Sequence, residues 1–170
     1  MKNLSLLLIF FLSSCTVPPA YNYKLKKVID GDSIVIKSLV DGSEEEVRLL
    51  GIDTPEYTQD PWGKRARKFL LSEVSIGESL KIETVNPSRD KYGRLLAFVF
   101  YEDEGGEEEF LNEEMLENGF AELYILQKWN VYNDRLKEAE AEAREAKLNI
   151  WSMNGTKMRP SEYRKKYMRK

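Results

Sequence analysis

The chain has 170 residues, with 26 Lys and Arg, 29 Asp and Glu, no histidine and one cysteine. The absence of histidine excludes Ser-His-Asp and Cys-His nucleophilic catalysis, imidazole acid–base chemistry and His-ligated zinc, and a single cysteine excludes an internal disulfide or a thiolate metal cage. The formal net charge of −3 averages two unlike regions, since residues 15–155 carry 18 basic and 28 acidic side chains while residues 156–170 carry 7 basic and 1 acidic.

In chain order, Met1-Lys2-Asn3 is a short positive segment and Leu4 to Leu12 an apolar run too short to span a bilayer comfortably. Leu12-Ser13-Ser14-Cys15 follows and resembles the lipobox of bacterial lipoproteins, in which the chain is cut before a cysteine that becomes lipidated. This layout divides the chain into a signal peptide (residues 1–14), a Pro-containing tether (15–20), one folded domain (21–155) and a basic tail (156–170). It implies a lipid anchor on Cys15 and a location in the bacterial envelope.

Strands are expected over 21–29 and 33–40, with the turn Asp30-Gly31-Asp32 between them. Asp41-Gly42 signals a hairpin into a third strand over 46–52. After a loop over 53–61, Ala66, Phe69 and Leu70 give a helix over about 63–74 its apolar face. Strands over 79–85 and 95–101 come next, then six carboxylates between Glu102 and Glu109 around Gly105-Gly106, read as a solvated loop. Asn112 is placed to cap a short helix that Gly119 ends, and a last helix over 133–148 has Leu136, Ala139, Ala143 and Ala146 as its apolar stripe, with Asn149 at its end. Five short strands with an inserted helix and two terminal helices predict a small β-barrel of the OB type.

Three segments combine acids and arginines in a way packing does not require: Val28-Ile29-Asp30-Gly31-Asp32-Ser33, the run from Val47-Arg48 through Asp53-Thr54-Pro55-Glu56, and Asp90-Lys91-Tyr92-Gly93-Arg94. Alternation along the third strand places Arg48 on one face with Leu50 and Ile52, an expensive position for a guanidinium without an anionic partner. Singly, each segment also reads as an ordinary Asp/Gly or Asp/Pro turn. Together they supply two carboxylates and a carbonyl for a hard cation, two arginines for a phosphate, and a further carboxylate to handle water. Phosphodiester hydrolysis needs that set, and it needs no histidine.

These segments, in this order, resemble the staphylococcal nuclease (thermonuclease) family from about Lys26 to Trp151, continuing through Leu111-Asn112-Glu113, Asn118-Gly119-Phe120-Ala121 and Ala146-Lys147-Leu148-Asn149-Ile150-Trp151. The resemblance implies a five-stranded OB-fold barrel with three α-helices and Ca²⁺-dependent cleavage of DNA and RNA to 3′-phosphate products. It assigns Asp32 and Asp53 to the metal, with Thr54 supplying a backbone carbonyl. Arg48 and Arg94 fall on the phosphate, Glu56 on the attacking water as general base or as a positioning group, and Lys91 and Tyr92 on the terminal phosphate of the nucleotide. Where the family's best-known member carries two nucleotide-lining tyrosines, this chain has Ile125 and Gln127, with Tyr124 one place early.

An acidic body repels a polyanion, so the local field of Arg48, Arg94, Lys91, Arg89, Lys64 and Arg65 together with the cation is expected to carry substrate binding. The basic tail, with Tyr163 and Tyr167 interleaved, is expected to add non-specific affinity for nucleic acid. A monomeric, envelope-anchored nuclease is the expected function; the alternative is a non-catalytic OB-fold module that binds nucleic acid.

Overall fold

The computed structural model describes residues 21–125 and 131–168. The segments expected as signal peptide and tether, with Cys15, and also Gln127, lie outside the described residues.

Among the described residues, eight strands and four α-helices follow one another. β1 (Tyr23–Val28), β2 (Ser33–Ser38), β3 (Glu44–Leu49) and β4 (Gly51–Asp53) precede α1 (Trp62–Glu73). β5 (Ser79–Arg89), β6 (Leu95–Glu102) and β7 (Glu108–Phe110) lead into α2 (Leu111–Glu117). β8 (Glu122–Tyr124), α3 (Asn133–Glu145), a 3₁₀ turn (Asn149–Trp151) and α4 (Pro160–Tyr167) complete the order.

The main sheet runs β3-β2-β1-β5-β6-β7, and β3 also pairs with β6. That extra ladder, parallel at Val47–Leu95, Arg48–Leu96 and Leu49–Ala97, closes β1, β2, β3, β5 and β6 into the expected five-stranded barrel and leaves none of them a free edge. It also sets Arg48 two residues from the level of Arg94, so one end of β3 and the start of β6 share a rim.

Inward-facing Leu25, Val28, Ile34, Ile36, Val47, Leu49, Leu80, Ala97 and Val99 fill the barrel. Phe98, Phe100, Phe110 and Tyr132 continue the core, with centroid separations of 4.6 Å for Phe100–Phe110 and 4.8 Å for Phe98–Tyr132, distances at which rings attract beyond simple burial. Ala66 and Leu70 of α1 are buried as its periodicity predicts, and Phe69 stacks on Phe120.

Several expectations are corrected by tertiary contacts. The third strand is not continuous: it breaks at Leu50, and Gly51 takes φ +80°, a left-handed conformation that glycine adopts without a Cβ penalty. The break undoes the alternation, so Arg48 leaves the face of Leu50 and Ile52 and comes to the same side as Asp53.

Asn112 is not a cap. It is buried within α2, where it accepts the Val99 N–H at 3.0 Å and donates to the Leu50 carbonyl at 2.7 Å, tying helix to barrel. Gly119 does end that helix, with Phe120 N–H returning to the Met115 carbonyl.

The acidic stretch is only partly loop. β7 begins within it, and Glu108 pairs with Lys81 at 3.0 Å and accepts from the Tyr21 hydroxyl. Ala146 is exposed and falls outside the stripe of α3, which ends when Lys147, ahead of Asn149, turns to positive φ. A fourth helix, α4, forms inside the segment read as a basic tail. Among the described residues no helix is long and apolar enough to cross a membrane.

Glu114 is half-buried beside Glu117, Glu109, Glu73 and Glu113, and burial followed by that repulsion pushes its carboxyl up to about 7. An acid whose pKa is raised by folding is stabilising only while protonated, so its contribution is complete below about 4.5 and is lost as the pH rises through 7. Glu114→Gln is expected to raise Tm at pH 8 by about 2–5 °C, the equivalent of about 1 kcal/mol after solvent screening, with no difference at pH 4. Thermal melts of both proteins at the two pH values check the sign.

Candidate active site

The chemistry-bearing segments converge on one rim of the barrel. Asp32 sits in the β1–β2 turn, Arg48 near the end of β3, Asp53 at the end of β4, and residues 90–94 in the β5–β6 turn. They surround a cleft of about 390 Å³ lined by Asp30, Asp32, Ser33, Arg48, Asp90, Lys91, Tyr92, Arg94, Leu96, Tyr124 and Arg164.

Asp32 is only 6% exposed and is held by four donors. The Ser33 hydroxyl (3.0 Å) and Arg48 Nε (3.2 Å) meet its Oδ1, and the Thr54 N–H (2.9 Å) and hydroxyl (3.1 Å) meet its Oδ2. The N–H and hydroxyl of Thr54 thus lock the orientation of Asp32. Asp53 is completely buried. Arg48 Nη2 reaches its Oδ1 at 3.1 Å, so one guanidinium bridges both buried carboxylates. Such a bridge offsets a desolvation cost that neither ion meets alone.

Arg94 is positioned from the opposite side. Asp90 accepts the backbone N–H groups of Tyr92 (2.9 Å) and Arg94 (3.0 Å), which folds the 90–94 turn, and accepts Arg94 Nε at 2.9 Å. Burial works against the Asp90 charge, but these donors outweigh it and hold the carboxyl below its usual range. Arg94 Nη1 points to the Ser33 hydroxyl at 3.4 Å, one link from Asp32. Lys91 and Arg94 flank the Tyr92 ring at 4.9 and 5.7 Å, and that ring is 73% exposed at the mouth of the cleft.

Glu56 is half-buried in the loop before α1, where its carbonyl accepts the Gln59 N–H at 2.7 Å. Its carboxylate does not line the cleft directly and joins the site through Arg164 Nη1 at 2.8 Å. Arg164 also grips Asp53 with both terminal nitrogens, at 2.9 and 2.8 Å. These bonds to Asp53 and Glu56 outweigh burial and raise the Arg164 pKa well above its usual value.

Two cleft residues escaped sequence reasoning. Asp30, read there as a turn residue, faces the cleft; burial first, then the neighbouring Asp32 charge, pushes its carboxyl up to about 7. Arg164 has no signal in spacing, because 111 residues separate it from Asp53. Tyr124 supplies an aromatic wall, and Ile125 is exposed beside it. Three expected contributors to the field do not line the cleft: Arg89 donates to the Gly93 carbonyl of the 90–94 turn and pairs with Glu45, Lys64 pairs with Asp60, and Arg65 lies over the Trp62 ring. The acidic turn at 103–106 is at the far end of β6, about 23 Å from the rim at 3.3 Å per residue.

The donor chemistry fits a hard cation. Asp30, Asp32, Asp53 and Glu56 offer only oxygen, the donor atom that Ca²⁺ and Mg²⁺ prefer. Among the described residues no three such side chains form a closed cage, so a cation here would take Asp32, Asp53 and the Thr54 carbonyl from the protein and its remaining ligands from water and substrate.

Over residues 46–153 the chain matches the model of a known family, described as staphylococcal nuclease homologue. The chain belongs to the staphylococcal nuclease family. It is 34% identical to the thermonuclease of Staphylococcus intermedius, over 83% of this chain and 82% of that protein. It is 33% identical to the thermonuclease of Staphylococcus hyicus, over 76% and 75% of the two chains. It is 36% identical to endonuclease YncB of Bacillus subtilis, over 79% of this chain and 63% of that one.

Proposed function

We propose that this protein is a calcium-dependent, sugar-nonspecific nuclease that hydrolyses DNA and RNA to 3′-phosphate products and is held at the bacterial envelope by a lipid on Cys15. The observation that carries the catalytic reading is the single guanidinium of Arg48 bridging two buried carboxylates, Asp32 and Asp53, across a cleft from Arg94. A non-catalytic barrel has no use for two buried acids facing two arginines. The similarity to thermonucleases over most of the chain supports the same reading.

In this scheme Asp32, Asp53 and the Thr54 carbonyl would hold a divalent cation, which would supply Lewis-acid charge to the phosphodiester. Arg48 and Arg94 grip the phosphate oxygens and stabilise the charge that builds on them as water adds to phosphorus. Glu56 orients that water or accepts its proton. The bond from phosphorus to the 5′ oxygen breaks, leaving a 3′-phosphate and a 5′-hydroxyl. Lys91 and Tyr92, at the mouth, contact the terminal phosphate, and Tyr124 offers a face for a base.

Single-stranded DNA incubated with the full chain should be degraded in calcium and left intact in chelator. Glu56→Gln should lower kcat by about 10²–10³ and keep the fold, because the half-buried carboxylate is replaced by an amide of the same shape. Binding of DNA without calcium-dependent cleavage would defeat the nuclease assignment and favour the binding-module alternative.

A further inference from the structure

The residues after Thr156 do not trail away from the domain. Gln59, itself buried, donates to the Thr156 hydroxyl at 2.9 Å and the Met158 carbonyl at 2.7 Å. Arg159 Nε reaches both oxygens of Glu122, a buried carboxylate at the start of β8, at 3.1 and 3.0 Å. Pro160 is buried, and the side chain of Glu162 accepts the Arg159 N–H, which starts α4 cleanly. The Tyr163 hydroxyl donates to the Thr58 carbonyl at 3.0 Å. Contacts to Gln59 and Thr58 set the segment on the loop that carries Glu56, the Arg159 pair ties it to β8, and Arg164 then lies on Asp53 and Glu56.

We infer that α4 is an autoinhibitory strap, in which Arg164 is a tethered cation that occupies the carboxylates the reaction needs free. The inference rests on the nuclease reading of this rim. Its physical basis is direct. With the helix docked, Asp53 has 0% exposure and both its oxygens are taken, and Glu56 is spent on the same guanidinium. A carboxylate cannot serve an incoming divalent cation and a two-point arginine fork in one geometry. The composition of the segment predicts added affinity for nucleic acid; while docked, the same segment competes at the site. Each pair has one solvent-reaching guanidinium and one buried carboxylate, so opening must leave Asp53 with a replacement cation, which the incoming divalent ion provides. The cation displaces the helix, and the strongly basic segment is then released beside the bound polyanion.

The test uses the full-length chain in mild detergent and calcium chloride as the probe, read by isothermal titration calorimetry and by amide hydrogen exchange of residues 160–167. A strap closed about nine-tenths of the time weakens apparent calcium affinity about tenfold, so Arg164→Gln should bind calcium about tenfold more tightly than the unaltered chain. Arg159→Gln, which touches only the Glu122 anchor, should shift affinity in the same direction by a smaller factor. Calcium should raise exchange across 160–167 in the unaltered chain. Equal or weaker calcium binding by Arg164→Gln overturns the strap alone. A gain in Arg164→Gln with none in Arg159→Gln overturns the docked helix as the agent and leaves only local charge. No calcium binding by any of the three proteins overturns the calcium reading of the site, and the strap with it.

Discussion

Arg94→Gln is expected to lower kcat about 10³-fold while KM changes only a few-fold. The side chain is held in place before any substrate arrives: Asp90 folds the turn around two backbone N–H groups and takes Arg94 Nε, and Ser33 lies in front of Nη1. A guanidinium anchored on one edge keeps its other edge for a phosphate, and its contribution grows as charge builds on the equatorial oxygens. The effect therefore falls on the transition state more than on binding. Arg94→Lys should recover little, since an ammonium cannot hold Asp90 and present two parallel donors at once. Stability should change by less than about 1 kcal/mol, because the Asp90–Arg94 pair is partly exposed. Steady-state kinetics on single-stranded DNA, with a thermal melt of each variant, decides the matter; a drop in kcat below tenfold removes Arg94 from the reaction.

Gly63→Ala is expected to destabilise the protein by about 2–4 kcal/mol, lowering Tm by about 5–15 °C, although it adds one methyl group at a helix start. A Cβ at this position would stand 1.9 Å from the carbonyl oxygen of Glu56 and 2.8 Å from Cα of Tyr57. Those neighbours are backbone, so no rotamer change relieves the clash. The Gly63 N–H also donates to the Gln59 carbonyl at 3.0 Å, which ties the loop to the first turn of α1. Relief must come from moving the loop that carries Glu56. Activity should then fall about 10²-fold at temperatures where the variant is still folded, since a shift near 1 Å at a water-positioning group has that cost. A variant with unchanged melting and unchanged kcat would show that the loop has slack and that Glu56 is not held by this contact.

Much of the site was legible because its parts are local. Asp30-Gly31-Asp32, Asp53-Thr54-Pro55-Glu56 and Asp90 through Arg94 are each a turn at a strand end, and turn chemistry is written in adjacent residues. Alternation placed most strands to within a few residues, and the period of α1 picked out Ala66 and Leu70 correctly. The same local logic failed where a distant contact decided. Alternation through 48–53 put Arg48 and Asp53 on opposite faces, and the kink at Leu50–Gly51 reversed that. Asn112 has the chemistry of a helix cap, yet its amide is spent on Val99 and Leu50 because those backbone groups need partners where α2 meets the barrel.

By itself the sequence determined which chemistry was open to this protein. With no histidine and one cysteine, the acids and arginines of three short segments were the material for a site, and their order along the chain carried the resemblance to the staphylococcal nuclease family. Tertiary structure alone decided how those groups are paired. The parallel β3–β6 ladder brings Arg48 to the rim beside Arg94, and α4 sets Arg164 on Asp53 across 111 residues of sequence. The physical reason is the range of the forces. Turn and periodicity preferences act within a few residues and leave a trace in the sequence. A buried charge takes whichever opposite charge the closed fold brings within about 3 Å, and sequence distance does not enter that choice.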